Sequence, residues 1–184
     1  NTNNENSEAE AYRCTSLKHK SKPQVLNCLI CDLSFVPESS YPKNIETIYS
    51  EVQDFTYLEN KNSRKKTFQK SLDQISPYLP NKGHLLEVGS YCGFFLESFQ
   101  KKYPNWDYIG VEPSKWASEY ARSQLNINTI TGTLEDNIKV LAPDYDIAVA
   151  WDVLEHLKDP LGFLIQINSR IKLNGIFCFS TLDI

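Results

Sequence analysis

The chain has 184 residues, 41% of them hydrophobic and 12% aromatic, and a formal net charge of −4; it is long enough to bury one full core with an appendage. That acidic balance gives no electrostatic footprint for nucleic acid or an anionic membrane, and the basic run from Arg64 to Lys66 falls in a predicted helix as a solvated face. No apolar run approaches the roughly 20 residues of a membrane span and no signal segment opens the sequence, so a cytoplasmic protein without a membrane or nucleic-acid partner is expected.

Residues 1–11, NTNNENSEAEA, are polar and acidic and read as a disordered tail. With Asn1 first and no Met anywhere, the sequence is expected to be a piece of something longer. Residues 12–40 read as a small cysteine-containing knuckle. Five cysteines, an odd number at uneven spacing, do not make a disulfide framework. The CLIC stretch, Cys28 to Cys31, has the gap that lets two thiolates reach one tetrahedral zinc ion. Cys14 is the candidate third ligand and His19 the candidate fourth, because Leu17 stands where a second paired cysteine would be. A vestigial ribbon or plain buried thiols are the alternative.

FVPESSYPKN is a punctuated link that sets a boundary near residue 40. Residues 41–82 read as a helical cap. Ile45, Ile48, Tyr49 and Val52 recur at helical spacing, and Phe68, Leu72, Ile75 and Leu79 form the stripe of a second helix, stopped by Pro80 and Gly83. From 83 to 184, short apolar runs alternate with amphipathic stretches: strand HLLEVG, helix FFLESFQKKY, strand WDYIGVE, helix SKWASEYARSQLN, strand INTITG, strand YDIAVAW, helix DPLGFLIQINSRIKL, and strand GIFCFSTL after the turn NG. Strands joined by helical crossovers predict an α/β fold, a doubly wound, Rossmann-like, mostly parallel sheet. Ligands of such sheets bind beyond the carboxyl ends of the strands. The segments there are EVGSYCG, VEPS, TGTLED and WDVLEH.

Gly89 and Gly93 bracket the turn from the first strand into a helix, and Glu112 ends the next strand 25 residues after Glu87. A glycine turn followed by an acid placed for two ribose hydroxyls describes a nucleoside-containing cofactor; the alternative is a tight turn and an exposed acid. Charge then separates the cofactors. A dinucleotide would bring its pyrophosphate beside Glu87, and its fingerprint needs glycine where Tyr91 stands and a small residue where Phe94 stands. S-adenosylmethionine has no phosphate and carries an ammonium and a sulfonium, which suit an acid at 87.

LLEVGSYCGFFLE, IGVEPSKWASEYAR, ITGTLED and YDIAVAWDVLEHLKDPLGFL resemble, in order and spacing, four motifs of the class I S-adenosylmethionine-dependent methyltransferases. From about Cys14 to Ile184 the chain is similar to the branch with an N-terminal zinc-ribbon-like segment, which makes 83–184 the S-adenosylmethionine-binding domain. The resemblance implies strand order 3-2-1-4-5, with the family's last two strands absent from this sequence. It implies that Glu87 and the backbone of Gly89, Ser90, Tyr91, Cys92 and Gly93 hold the methionine part, and that Glu112, with Pro113 in its turn, holds the ribose. Thr133 and Leu134 would flank the adenine and Trp151 would lie along the inner side. Tyr91 departs from the family's glycine and Thr133 from its acid, and the fourth ribbon cysteine is missing. At Tyr91 only the backbone is expected to touch the cofactor, with the ring turned away or laid over it.

His156 is the candidate general base. Asp152, Glu155 and His156, at i, i+3 and i+4, are expected on one helix face, a set similar to the metal-binding acids and histidine of some quinone O-methyltransferases; a capping box made by Asp152 and Glu155 is the alternative. Cys92 and Cys178 read as core thiols. The function expected is methyl transfer to a small-molecule acceptor such as a sugar, glycan or secondary metabolite. Its rivals are an NAD(P)-dependent oxidoreductase and a catalytically inactive S-adenosylmethionine-binding domain.

Overall fold

The computed structural model describes residues 9, 10, 12–14 and 25–181, so the proposed 1–11 tail falls almost wholly outside the described residues and His19 does so entirely. In chain order the elements are β1 (Leu26–Asn27), β2 (Ser34–Phe35), α1 (Ile45–Glu51), α2 (Phe55–Glu59), α3 (Lys61–Ile75), β3 (His84–Val88), α4 (Phe94–Lys102), β4 (Asp107–Glu112), α5 (Lys115–Leu125), β5 (Thr129–Thr131), α6 (Leu134–Asn137), β6 (Tyr145–Trp151), α7 (Pro160–Asn168) and β7 (Ile171–Ser180). β1 and β2 make an antiparallel hairpin. The other five strands form one sheet in the order β5-β4-β3-β6-β7, with every neighbour parallel.

Alternation along the central strands feeds two cores. Leu85, Ile147 and Val149 face α3 and α4, where they meet Leu72, Ile75, Phe95, Leu96 and Phe99. Leu86, Val88, Ala148 and Ala150 face the other way, toward Leu134, Phe163 and Ile167. Both sheet faces are covered, so these strands read as continuous apolar runs. Each such buried Leu, Ile or Phe contributes about 1.5–3 kcal/mol.

Caps fix where helices begin. Ser114 Oγ accepts the Ala117 N–H at 3.1 Å and itself donates to the Val52 carbonyl at 2.8 Å, tying the end of α1 to the start of α5. Asp159 accepts the Gly162 N–H at 2.8 Å, with Pro160 opening α7. α2 and α6 are additions to the sequence reading; each starts on a side-chain cap, Asp54 and Thr133.

Three predicted boundaries are corrected. α3 stops at Ile75 and passes into a 3-10 turn at Ser76–Tyr78, because Pro77 has no N–H to continue the ladder. α7 ends at Asn168 instead of running to Leu173. β7 begins at Ile171, and the NG pair lies in a bulge of that strand: Tyr145 pairs with Ile171 but Ile147 pairs with Ile176, and Asn174 turns the chain at φ 66°.

Gly110, in the middle of β4, sits opposite Glu87 of β3. A Cβ there would stand 2.6 Å from Ser90 Oγ and 2.9 Å from Leu96 Cδ1. Gly110→Ala is therefore expected to destabilise the fold by about 1–3 kcal/mol, read as a lower midpoint of urea denaturation. An unchanged midpoint would show that the strand has slack.

Candidate functional site at the carboxyl end of the sheet

Glu87 projects from β3 to the α3 and α4 side, between Gly110 of β4 and Val149 of β6. It is 2% exposed, and its Oε2 has no hydrogen-bond partner among the described residues. Burial, and secondarily the charge of Glu112, hold this carboxyl well above the usual carboxylate range. A buried acid without a partner is costly to a fold and demands a reason.

The loop that follows is fixed by its backbone. The Gly89 and Ser90 N–H groups both donate to the Val111 carbonyl, at 2.8 and 3.1 Å, and the Gly93 N–H donates to Ser90 O at 2.8 Å. Gly89 has φ 76°, and a Cβ on it would fall 2.5 Å from Val153 Cγ2, so the segment leaving β6 closes directly onto this turn. Tyr91 also lies in the left-handed region, at φ 44°. Its N–H donates to Glu112 Oε2 at 2.8 Å. Its ring leaves the loop and packs edge-on against Tyr57 of α2, with centroids 4.7 Å apart, and beside Trp116 of α5.

Glu112 ends β4 almost fully buried. Its second oxygen, Oε1, accepts the Ser114 N–H at 2.7 Å, across the turn that contains Pro113. Burial lifts the carboxyl to about 7 in spite of those two donors. Each oxygen keeps a further lone pair for a ligand hydroxyl. At the end of β5, Thr133 caps α6 in reciprocal fashion: its N–H and hydroxyl donate to Asp136 Oδ2 at 2.9 and 2.8 Å, and its Oγ1 accepts the Asp136 N–H. Asp136, in the first turn of α6, is thus bonded back to Thr133. Leu134 is buried in the core. Trp151, at the end of β6, lies 5.2 Å from the Phe95 ring, and its buried Nε1 has no partner among the described residues.

The segment after β6 corrects the sequence reading. Asp152 has φ 54° and only a 3-10 turn, Leu154–His156, follows, so Asp152, Glu155 and His156 do not share a helix face. No capping box forms either: the residue before that turn is Val153, without a side-chain cap. Asp152 Oδ1 instead accepts the Ser180 hydroxyl at 2.7 Å and Glu155 Oε2 the Thr181 hydroxyl at 3.1 Å, binding the segment to the end of β7. His156 is exposed and meets the Tyr49 ring edge-on at 5.9 Å, and Tyr49 meets Tyr12 at 5.5 Å. These two tyrosines form a wall that sequence reading missed. Helical spacing marked Tyr49 only as a core residue, and no signal marked Tyr12.

The zinc set is also corrected. Among the described residues no three His, Cys, Asp or Glu side chains gather in a way that could hold one metal, so Cys14 does not join Cys28 and Cys31, and Asp152, Glu155 and His156 make no ion site. Burial, and secondarily the charges of Asp54 and Glu112, push the Cys14 thiol up to about 11, with Arg64 acting the other way. Cys92 is fully buried and Cys178 half-buried, and burial pushes both thiols up, as core thiols require.

A family model described as a methyltransferase domain matches residues 60–184. An uncharacterized methyltransferase of Schizosaccharomyces pombe is 30% identical over 118 residues, which cover 58% of this chain and 42% of that protein. A ubiquinone biosynthesis O-methyltransferase of Erwinia tasmaniensis is 30% identical over 102 residues, covering 54% and 42%. The chain spans about half the length of the curated relatives it matches. Two solved structures share the fold: Streptomyces venezuelae DesVI, with TM-score 0.58 at 21% identity over 77% of this chain and 59% of that one, and a SAM-dependent methyltransferase from Archaeoglobus fulgidus, with TM-score 0.53 at 21% identity over 65% and 54%.

Proposed function

This chain belongs to the methyltransferase domain family, and from that premise we propose that its sheet end binds S-adenosylmethionine and serves methyl transfer to a small-molecule acceptor. The observation that carries the reading is the buried, unpartnered Oε2 of Glu87. An ammonium satisfies it, whereas the pyrophosphate of a dinucleotide would be repelled. When bound, the cofactor supplies an electrophilic methyl on a sulfonium.

Everything else is the work of this chain's residues. Glu87 and the backbone of Gly89, Ser90, Tyr91, Cys92 and Gly93 grip the amino acid end, and the free lone pairs of Glu112 accept the ribose hydroxyls, with Pro113 shaping that turn. Thr133 and Leu134 flank the adenine, and Trp151 closes the inner side. His156, at the mouth beside Tyr49, takes the proton of the acceptor. An oxygen acceptor is favoured, since the curated relatives include O-methyltransferases. No helix among the described residues is long and apolar enough to cross a membrane.

Titration calorimetry with S-adenosylhomocysteine and with NAD tests the reading. Binding of the first alone is expected, and binding of NAD alone would replace it with the oxidoreductase reading. His156→Gln is expected to lower kcat by ~10²–10⁴ while leaving the Kd of S-adenosylhomocysteine unchanged. An unchanged kcat would remove His156 from the chemistry.

A further inference from the structure

Helix α2 carries none of the residues assigned to the cofactor, yet its Tyr57 reaches the loop after β3 at both ends. The ring is buried, stands edge-on to Tyr91 with centroids 4.7 Å apart, and stacks on Phe94, the first residue of α4, at 5.6 Å and 5°. The Arg64 guanidinium of α3 lies 4.8 Å from the centre of the same ring. The Tyr57 backbone is fixed as well, since its N–H donates to Asp54 Oδ1 at 3.1 Å. A second ring of α2, Phe55, meets Trp116 at 5.3 Å, and Trp116 lies beside Tyr91 at 6.2 Å.

The residue held in this way is strained. Tyr91 has φ 44°, which crowds the Cβ of any residue other than glycine. Such a conformation persists only where the surroundings over-determine it. In this conformation the Tyr91 N–H donates to Glu112 Oε2 at 2.8 Å. Tyr91 and Phe94 bracket Cys92 and Gly93, so a ring that touches both ends fixes the short arc between them. Aromatic pairs of this geometry are directional and contribute beyond the burial of their area. A loop held in its binding shape before a ligand arrives has less freedom to lose when the ligand binds.

Resting on the reading of this sheet end as an S-adenosylmethionine site, we propose that Tyr57 is a positioning residue: its ring clamps Tyr91 and Phe94, and through them it sets the cofactor loop.

The test measures S-adenosylhomocysteine affinity by calorimetry and backbone amide exchange by NMR, both on the full chain. Tyr57→Leu keeps an apolar side chain and removes the ring. It is expected to raise Kd by ~10–100-fold and to speed exchange of the Tyr91 amide in the ligand-free chain by ~10-fold, with the amides of β3 and β6 unchanged. Tyr57→Phe keeps the ring and should bind within ~3-fold of the unaltered chain. In a Tyr91→Gly chain the left-handed turn is no longer strained and its ring is gone, so adding Tyr57→Leu should raise Kd by less than ~3-fold. An equal rise in the two backgrounds would make Tyr57 a general core residue and overturn the clamp. So would an unchanged Kd for Tyr57→Leu, or exchange that quickens alike throughout the sheet. An unaltered chain that does not bind S-adenosylhomocysteine would overturn the reading of the site and this proposal with it, a result that no variant can imitate.

Discussion

Glu87→Gln is expected to weaken S-adenosylhomocysteine binding by ~10²–10³ while making the ligand-free chain more resistant to urea. The two effects have one origin. Gln keeps the shape of the side chain but takes away the charge that an ammonium needs in a dry site, and removing one partner of a buried pair costs about 3–5 kcal/mol. Without ligand the same charge is a liability, because Glu87 is buried beside Glu112 with one oxygen unpartnered. Calorimetry and urea denaturation on one preparation read both signs. Loss of binding together with loss of stability would mean that Glu87 only holds the loop.

The stability of the ligand-free chain should fall as pH rises from about 5 to 7. Glu112 ordinarily titrates near 4.5, and in the fold its carboxyl is lifted to about 7. Between those values the unfolded chain has released a proton that the folded chain still holds, so each rise in pH favours unfolding. At ~1.4 kcal/mol per pH unit the decline from this group reaches about 3 kcal/mol. Glu87, shifted in the same direction, adds to it. Asp73, Glu97, Asp136 and Asp146 are shifted downward, so their contribution is lost below about pH 4.5, outside this window. Denaturation midpoints at pH 5, 6 and 7 should decline, and Glu112→Gln should flatten the decline. A flat profile in the unaltered chain would place both carboxylates in a wetter site. Since an ammonium requires ionised Glu87, binding should release a proton and tighten as pH rises.

The sheet was legible because its strands are apolar runs bounded by Gly, Pro and acidic turns, separated by helices with one apolar face. The positions of Glu87 and Glu112 were legible for the same reason. Their burial was not, for it is made by residues far away in sequence: Gly110, 23 positions from Glu87, stands opposite it in the sheet. Spacing arithmetic failed where the backbone left the regular path. Asp152, Glu155 and His156 have helical spacing, but Asp152 is left-handed and its side chain is held by Ser180. Cys14 and the CLIC pair have ligand spacing, but among the described residues no three His, Cys, Asp or Glu gather in a way that could hold a metal. The Tyr12, Tyr49 and His156 contact joins three segments that no local pattern connects.

The Ser114 side chain ties these parts together. Its hydroxyl holds the last carbonyl after α1, and its own N–H is held by Glu112. The carboxylate assigned to the ribose and the helix that carries Tyr49 are therefore coupled through one small residue. On the proposed reading, a ribose held by Glu112 and an acceptor held beside Tyr49 and His156 would share one anchor, so that Ser114→Ala, which removes it, should disturb both ends of the site at once.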